Sequence, residues 1–307
     1  MNDYLALLLG IVCAGAGGEL FVRGIVGMAS ALRISPGIVA ATVAAFATSS
    51  PELTVSINSA LAGTPRLALG NALGSNVVNV ALILAAAVLI APITATRHTI
   101  ARDFPVALTV PVILGVLLVD GVLSRLEGAL LLGLFVGWLV VVIHEAHRQR
   151  SATAAVLGEY KPVRAAIEAI AGLALLILAG RLIVAGATGV AQTHGIDPFI
   201  IGATVVAVGT TVPELATAIV SGLKGHEEVG LGTVLGSNIF NGLFIVGVAS
   251  TIAPIAITVR EVAPALVLGL AAVALSYPRR SGAIERWRGV ILLGVYAAYL
   301  VAVLQWA

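Results

Sequence analysis

Charged side chains are scarce in this chain: Asp, Glu, Lys and Arg make up 10% of the 307 residues, against 59% hydrophobic ones. That ratio excludes a water-soluble globular protein and defines an integral membrane protein whose first partner is the lipid bilayer. Cysteine is almost absent. Cys13 lies inside a hydrophobic run, which rules out a disulfide framework or a cysteine metal cluster and leaves a small packing residue. No soluble domain fits, because the longest connection runs over about residues 146 to 162. The N-terminus carries Asp3 and no early basic residue, and its apolar run outlasts a signal peptide, so it reads as a retained first helix. The short alternating pattern of a membrane barrel is missing too, which leaves an all-α bundle.

What is present is a series of apolar runs long enough for helices across a core of roughly 30 Å. Dividing at charged and turn-forming stretches predicts ten transmembrane helices, approximately 4–29, 36–61, 67–90, 104–119, 126–145, 163–190, 198–222, 229–252, 261–276 and 287–305. Lys and Arg are distributed unevenly over the connections. One side holds Arg33, Arg97, Arg102, Arg148, Arg150, Lys161, Arg164, Lys224, Arg279, Arg280, Arg286 and Arg288, and the other only Arg66, Arg125 and Arg260. The positive-inside rule then places both termini outside an inner, or cell, membrane. The same asymmetry accounts for the basic clusters without a nucleic-acid partner.

The stretch from Pro36 to Ile93 aligns without a gap on the stretch from Pro198 to Ile255, at a constant offset of 162, and 27 of the 58 positions are identical. Polar positions match as well as apolar ones, so the chain is an internal duplication. We expect a first five-helix repeat over residues 1–148, a cytoplasmic connection over 149–162 and a second five-helix repeat over 163–307. An odd number of crossings separates equivalent helices. The halves therefore run in opposite directions, with interrupted helices 2 and 7 meeting near the midplane.

Glu52 and Glu214 mark those interruptions, in "ATSSPEL" and "GTTVPEL". An ionised carboxylate within a span is expensive unless it faces a polar cavity or a cation. Pro51 and Pro213 lack the amide hydrogen that would bond the carbonyl of Ala47 or Gly209, which predicts a bend with backbone oxygens left over as ligands. Thr48 precedes Glu52 by one turn, as Thr210 precedes Glu214. Ser75 and Asn79 repeat that spacing in "GSNVVN", and Ser237 and Asn241 in "GSNIFN". Hydroxyl, amide, carbonyl and carboxylate oxygens together suit Na+ and Ca2+ better than zinc or copper. Two glutamates balance one Ca2+ or two Na+, and burial would also let them carry protons, so Na+/Ca2+ antiport, H+/Ca2+ antiport and a cation channel all fit the residues. An enzyme does not, for want of a Ser/His arrangement or a metal cluster.

Those paired motifs, "ATSSPEL" with "GNALGSNVVN" and "GTTVPEL" with "GTVLGSNIFN", resemble the two alpha repeats of the cation/calcium exchanger superfamily, in its sodium/calcium exchanger branch. The resemblance covers essentially the whole chain. It implies a membrane antiporter that exchanges Na+ for Ca2+ by alternating access, has no cofactor besides the transported ions, and moves helices 1 and 6 as gates. It also implies ligands at Thr48, Ser49 and Glu52 with the Ala45 carbonyl, at Thr210, Thr211 and Glu214 with the Ala207 carbonyl, and at Ser75, Asn79, Ser237 and Asn241. Prokaryotic members often carry aspartate where this chain has Asn241. That departure removes one carboxylate from the pattern and leaves both glutamates in place.

Plainer readings apply elsewhere. Asn76 and Asn238 read as amides bracing the bent backbone, and Gly70, Gly74, Gly232 and Gly236 as close-packing positions. Glu19 and Arg23 lie one turn apart, which predicts a local ion pair. His144, Glu145 and His147 read as a solvated helix end, and Glu227 with Glu228 as helix-opening acids.

Overall fold

The computed structural model describes residues 3–152, 162–193, 207–279 and 281–306. Helices α1 (Asp3–Leu32), α2 (Pro36–Thr48), α3 (Ser50–Leu61), α4 (Pro65–Ile90), α5 (Thr99–Leu117) and α6 (Arg125–Ala152) form the first half. The second half holds α7 (Pro162–Thr193), α8 (Ala207–Thr210), α9 (Val212–Leu223), α10 (Glu227–Ile252), α11 (Val259–Ser276) and α12 (Arg286–Trp306). Helices dominate because hydrocarbon offers no partner to a free backbone N–H or C=O. Among the described residues eight are long and apolar enough to cross a membrane, and nine if α2 and α3 count as one span bent by 46°. The expected seventh span, 198–222, begins outside the described residues, as does most of the 149–162 connection.

Of the most apolar stretch of α10, 94% is buried, against 11% for α12, so α10 is the centre and α12 the rim. Alongside this core α1 and α7 lie face to face. A Cβ on Gly24 would stand 2.3 Å from the Ala169 nitrogen, and one on Gly172 2.4 Å from the Phe21 nitrogen. Backbones this close require glycine, and the tight approach supplies the van der Waals contact on which helix association in lipid depends.

The all-α expectation needs one small amendment. Strands β1 (Ile93–Thr94), β2 (Val122–Leu123), β3 (Ile255–Ala256) and β4 (Ala283–Ile284) pair antiparallel across the halves, β1 with β4 and β2 with β3. Arginines cross over in the same manner. Arg125 donates to the Ile252 carbonyl (3.3 Å) and Arg286 to the Ile90 carbonyl (3.2 Å), each satisfying a helix end of the opposite half.

Glu145, expected at a solvated helix end, lies inside α6, which runs on to Ala152, and is not simply solvated. Glu145 pairs with His98 and, at 2.6 Å, with Arg102, which also forms a bidentate contact with Asp103. Arg102 and Asp103 are buried, and a buried guanidinium requires such acids around it.

Candidate functional site

The helix breaks fall at Ser49 and Thr211, whose backbones match closely (φ −84°, ψ 9° and φ −92°, ψ 9°). Pro51 and Pro213 sit just beyond, in the first turns of α3 and α9, where the missing N–H has no intrahelical partner to lose. The chain thus bends two residues before each proline. The Ala47 carbonyl, expected to be left over, accepts the Ser50 hydroxyl at 2.8 Å.

Each break puts a glutamate in the first turn of the following helix, and the two carboxylates come close enough to repel one another. Both residues are 1% exposed. Contacts cross between halves: Ser49 donates to Glu214 at 3.1 Å, the Thr48 hydroxyl adjoins Glu214, and the Thr210 hydroxyl adjoins Glu52. Ser237 donates to the same Glu214 oxygen at 3.3 Å. Thr48 also donates to the carbonyls of Ala44 (3.0 Å) and Ala45 (3.3 Å), while the Ala45 carbonyl accepts the Ser49 amide at 3.0 Å. The Thr211 hydroxyl donates to the Val208 carbonyl at 3.0 Å, and Ala207 opens α8.

Ser75 and Asn79 on α4, with Ser237 and Asn241 on α10, are all buried. Each asparagine is the second residue of a π-helical segment, Val78–Leu84 in α4 and Phe240–Ile245 in α10. The extra residue in the turn shifts the side-chain register, a distortion often found where helices carry function. Asn76 and Asn238 act as braces, but between α4 and α10 and not along the bent backbone. Each amide donates to the other's backbone carbonyl at 3.1 Å, and Asn79 donates to the Asn238 side chain at 3.1 Å. Repeat reasoning missed Asn71, which donates to the Glu52 carbonyl at 3.2 Å and to Ser56 at 3.3 Å; its equivalent is Thr233.

Both Glu52 oxygens, Glu214 Oε2, Asn79 Oδ1 and both polar atoms of Asn241 are buried without a geometrically formed hydrogen bond among the described residues. Unpaired buried carboxylate oxygens are costly, and a hard cation is what such an oxygen set can hold. No cluster of three or more His, Cys, Asp or Glu among the described residues could do so instead. A cavity of about 500 Å³ abuts the site between α3, α7, α8 and α9, with Pro51, Thr210 and Pro213 in its wall.

Fold and site together define a multi-pass helical membrane protein with a buried carboxylate pair at matched helix breaks. Residues 3–144 and 165–305 match the sodium/calcium exchanger protein family, and the chain belongs to it. It is similar to the inner membrane protein YrbG of Escherichia coli strain K12, at 37% identity over 286 residues that span 89% of this chain and 87% of YrbG. The sodium/calcium exchanger MaX1 of Methanosarcina acetivorans is 27% identical across 97% of each protein. The solved structure of the sodium/calcium exchanger from Methanococcus jannaschii matches with a TM-score of 0.83 at 27% identity, again over 97% of each chain.

Proposed function

We propose that this protein is a secondary antiporter that exchanges Na+ for Ca2+ across the inner membrane by alternating access. The observation that carries the reading is the meeting of Glu52 and Glu214, from equivalent breaks of a duplicated sequence, in one buried oxygen-rich cluster. The ligand set is Thr48, Ser49, Glu52, Ser75, Asn79, Thr210, Thr211, Glu214, Ser237 and Asn241 with the carbonyls of Ala45 and Ala207. Asparagine at both 79 and 241 leaves a formal charge of −2 from the glutamates, which balances one Ca2+ or two Na+. The two loads then exclude each other. An empty, doubly negative site is disfavoured from reorienting through a low-dielectric barrier, and that turns competition into obligatory exchange.

The architecture behind this reading is ten helices in two inverted five-helix units, residues 1–148 and 163–307, joined by a cytoplasmic segment over 149–162, with both termini outside. Cross-paired strands, exchanged arginine contacts and the reciprocal Asn76–Asn238 bonds support a pseudo-twofold relation between the units.

The test is radiolabelled Ca2+ uptake into Na+-loaded proteoliposomes, with the Na+ and pH gradients varied independently. Outward Na+ at constant pH should drive uptake, and Glu52→Gln or Glu214→Gln should reduce it at least about 100-fold, equivalent to about 3 kcal/mol. Uptake that follows only the proton gradient, or that needs neither gradient, would overturn the reading.

A further inference from the structure

Arg181 is a charged residue for which the exchange scheme above has no use. It stands on α7 about 18 Å before that helix ends at Thr193. The side chain is exposed and takes part in none of the ion pairs among the described residues. An arginine within a membrane helix needs water or an acid, and one without an acid marks a wet, functional place. Here the place is visible: Arg181 lines the 500 Å³ cavity together with Ser50, Pro51, Gly209, Thr210 and Pro213. Three of those five, Ser50, Pro51 and Pro213, lie in the first turns that carry Glu52 and Glu214, and Gly209 and Thr210 end the helix just before the second break. Its neighbour Gly180 anchors this part of α7, since a Cβ there would stand 2.8 Å from the Gly209 carbonyl oxygen. The fixed positive charge is therefore held in a cavity walled by residues that adjoin Glu52 and Glu214 in sequence. The equivalent position in the first half is Glu19, so the duplication does not explain an arginine here.

We propose that Arg181 tunes ion affinity at the site: its charge in the adjoining cavity disfavours Ca2+ more steeply, ion for ion, than Na+. The inference rests on the reading that Glu52 and Glu214 hold the transported cations. Coulomb repulsion scales with the charge of the arriving ion, whatever the distance and effective dielectric. Whatever factor Arg181 imposes on the intrinsic affinity for one Na+, it imposes the square of that factor on Ca2+. Two Na+ together meet the same repulsion as one Ca2+, so a cation placed here tempers retention of either load and leaves the ratio in which they exchange unchanged. Where solvent reaches the cavity, added salt screens the charge, so the effect should shrink as ionic strength rises.

Equilibrium binding of radiolabelled Ca2+, with Na+ competition, on the purified full-length protein at low ionic strength tests this. Arg181→Gln should raise apparent Ca2+ affinity about 4- to 10-fold and intrinsic Na+ affinity about 2- to 3-fold, the first being the square of the second. Arg181→Lys keeps the charge and should behave as the parent, and Arg181→Glu should move both affinities further in the same 2:1 logarithmic ratio. Equal shifts for the two ions, no shift, or a lysine variant that behaves as glutamine would each overturn the proposal. The double variant Glu52→Gln with Glu214→Gln separates it from the underlying reading. If that variant loses Ca2+ binding while Arg181→Gln changes nothing, the glutamate site stands and the role of Arg181 falls. If it binds Ca2+ as the parent does, the glutamate reading itself falls and the Arg181 proposal with it.

Discussion

Gly18 and Gly180 are equivalent residues of the two halves, yet they meet the broken helices at different places. Within the α1–α7 pair, contacts repeat under exchange of halves. Gly10 packs on Ala179 and Ile183, and its equivalent Gly172 packs on Gly17 and Phe21, the equivalents of those two. Gly24 meets Ala169, and Gly186 meets Leu7, related in the same way. The correspondence stops at the edge of the pair. Gly18 packs on Ala216 and Val220 of α9, whereas Gly180 packs on Gly209 of α8 and Val212 of α9. Symmetry would set Gly180 against Thr54, but Thr54 and Gly180 both face the cavity. The α1–α7 pair is thus internally symmetric and asymmetrically seated, closed along α9 on one flank and parted from α3 on the other. The mirrored seating, closed along α3 and parted from α9, is the second state that alternating access would require of this pair.

The largest expected effect comes from breaking the symmetric interior of that pair. Gly24→Ala places a methyl group 2.3 Å from the Ala169 nitrogen, and backbone cannot yield as a flexible side chain would. We expect a cost of about 3 kcal/mol, read as a lowered midpoint of thermal unfolding in detergent, together with loss of exchange. Gly15→Ala on the same helix meets nothing within 4 Å and should leave both unchanged. Gly186→Ala sharpens the comparison. Its Cβ would stand 2.6 Å from the Asp3 carbonyl oxygen, so it should cost about as much as Gly24→Ala. A tolerated Gly186→Ala would mean that the two ends of the interface are not equivalent.

Next in size is the reciprocal asparagine pair at the centre. Asn76→Ala and Asn238→Ala should each cost about 1 to 2 kcal/mol, with a coupling of about 1 kcal/mol in the double-mutant cycle, because each amide serves the other's backbone. Asn238→Ala should be the worse of the two, since it also removes the acceptor of the Asn79 amide. Equal costs would mean that the Asn79 contact contributes nothing, and an additive cycle would dissolve the idea of a shared brace.

This centre is where the sequence is most legible. Glutamate, threonine and asparagine stand out against apolar runs, and the offset of 162 names their counterparts without any coordinates. Each bend falls two residues before its proline, because a proline is comfortable in the first turn of a new helix and marks its start rather than the bend. Asn71 escaped because its equivalent is Thr233, so duplication gave it no echo. The His98, Arg102, Asp103 and Glu145 cluster escaped for another reason. Arg102 and Glu145 lie on different helices, and no periodicity along one of them reports the other. Two-residue strands are too short to leave a pattern at all. Least legible was the unequal seating of α1 and α7, since nearly equivalent sequences carry both flanks and the difference resides in how whole helices sit.

The smallest expected effect concerns what holds the closed flank shut. Glu19 on α1 pairs with Arg23 at 2.7 Å and reaches across to Lys224 at the end of α9. The equivalents of Glu19, Arg23 and Lys224 are Arg181, Ala185 and Ala62, which cannot make the same latch on the other flank. Both partners of the cross-helix pair are about one-third exposed, so its strength is that of a surface ion pair, about 0.5 kcal/mol. Lys224→Gln should accordingly move the balance between seats about twofold. With Cys13→Ser as background, a cysteine in place of Ala216, beneath Gly18, reports this as its rate of modification by a water-soluble maleimide. A rate about twice that of the Lys224 parent would make the ion pair part of the latch. An unchanged rate would assign closure to the Gly18 contact alone, and the difference between the flanks would then be one of packing and not of charge.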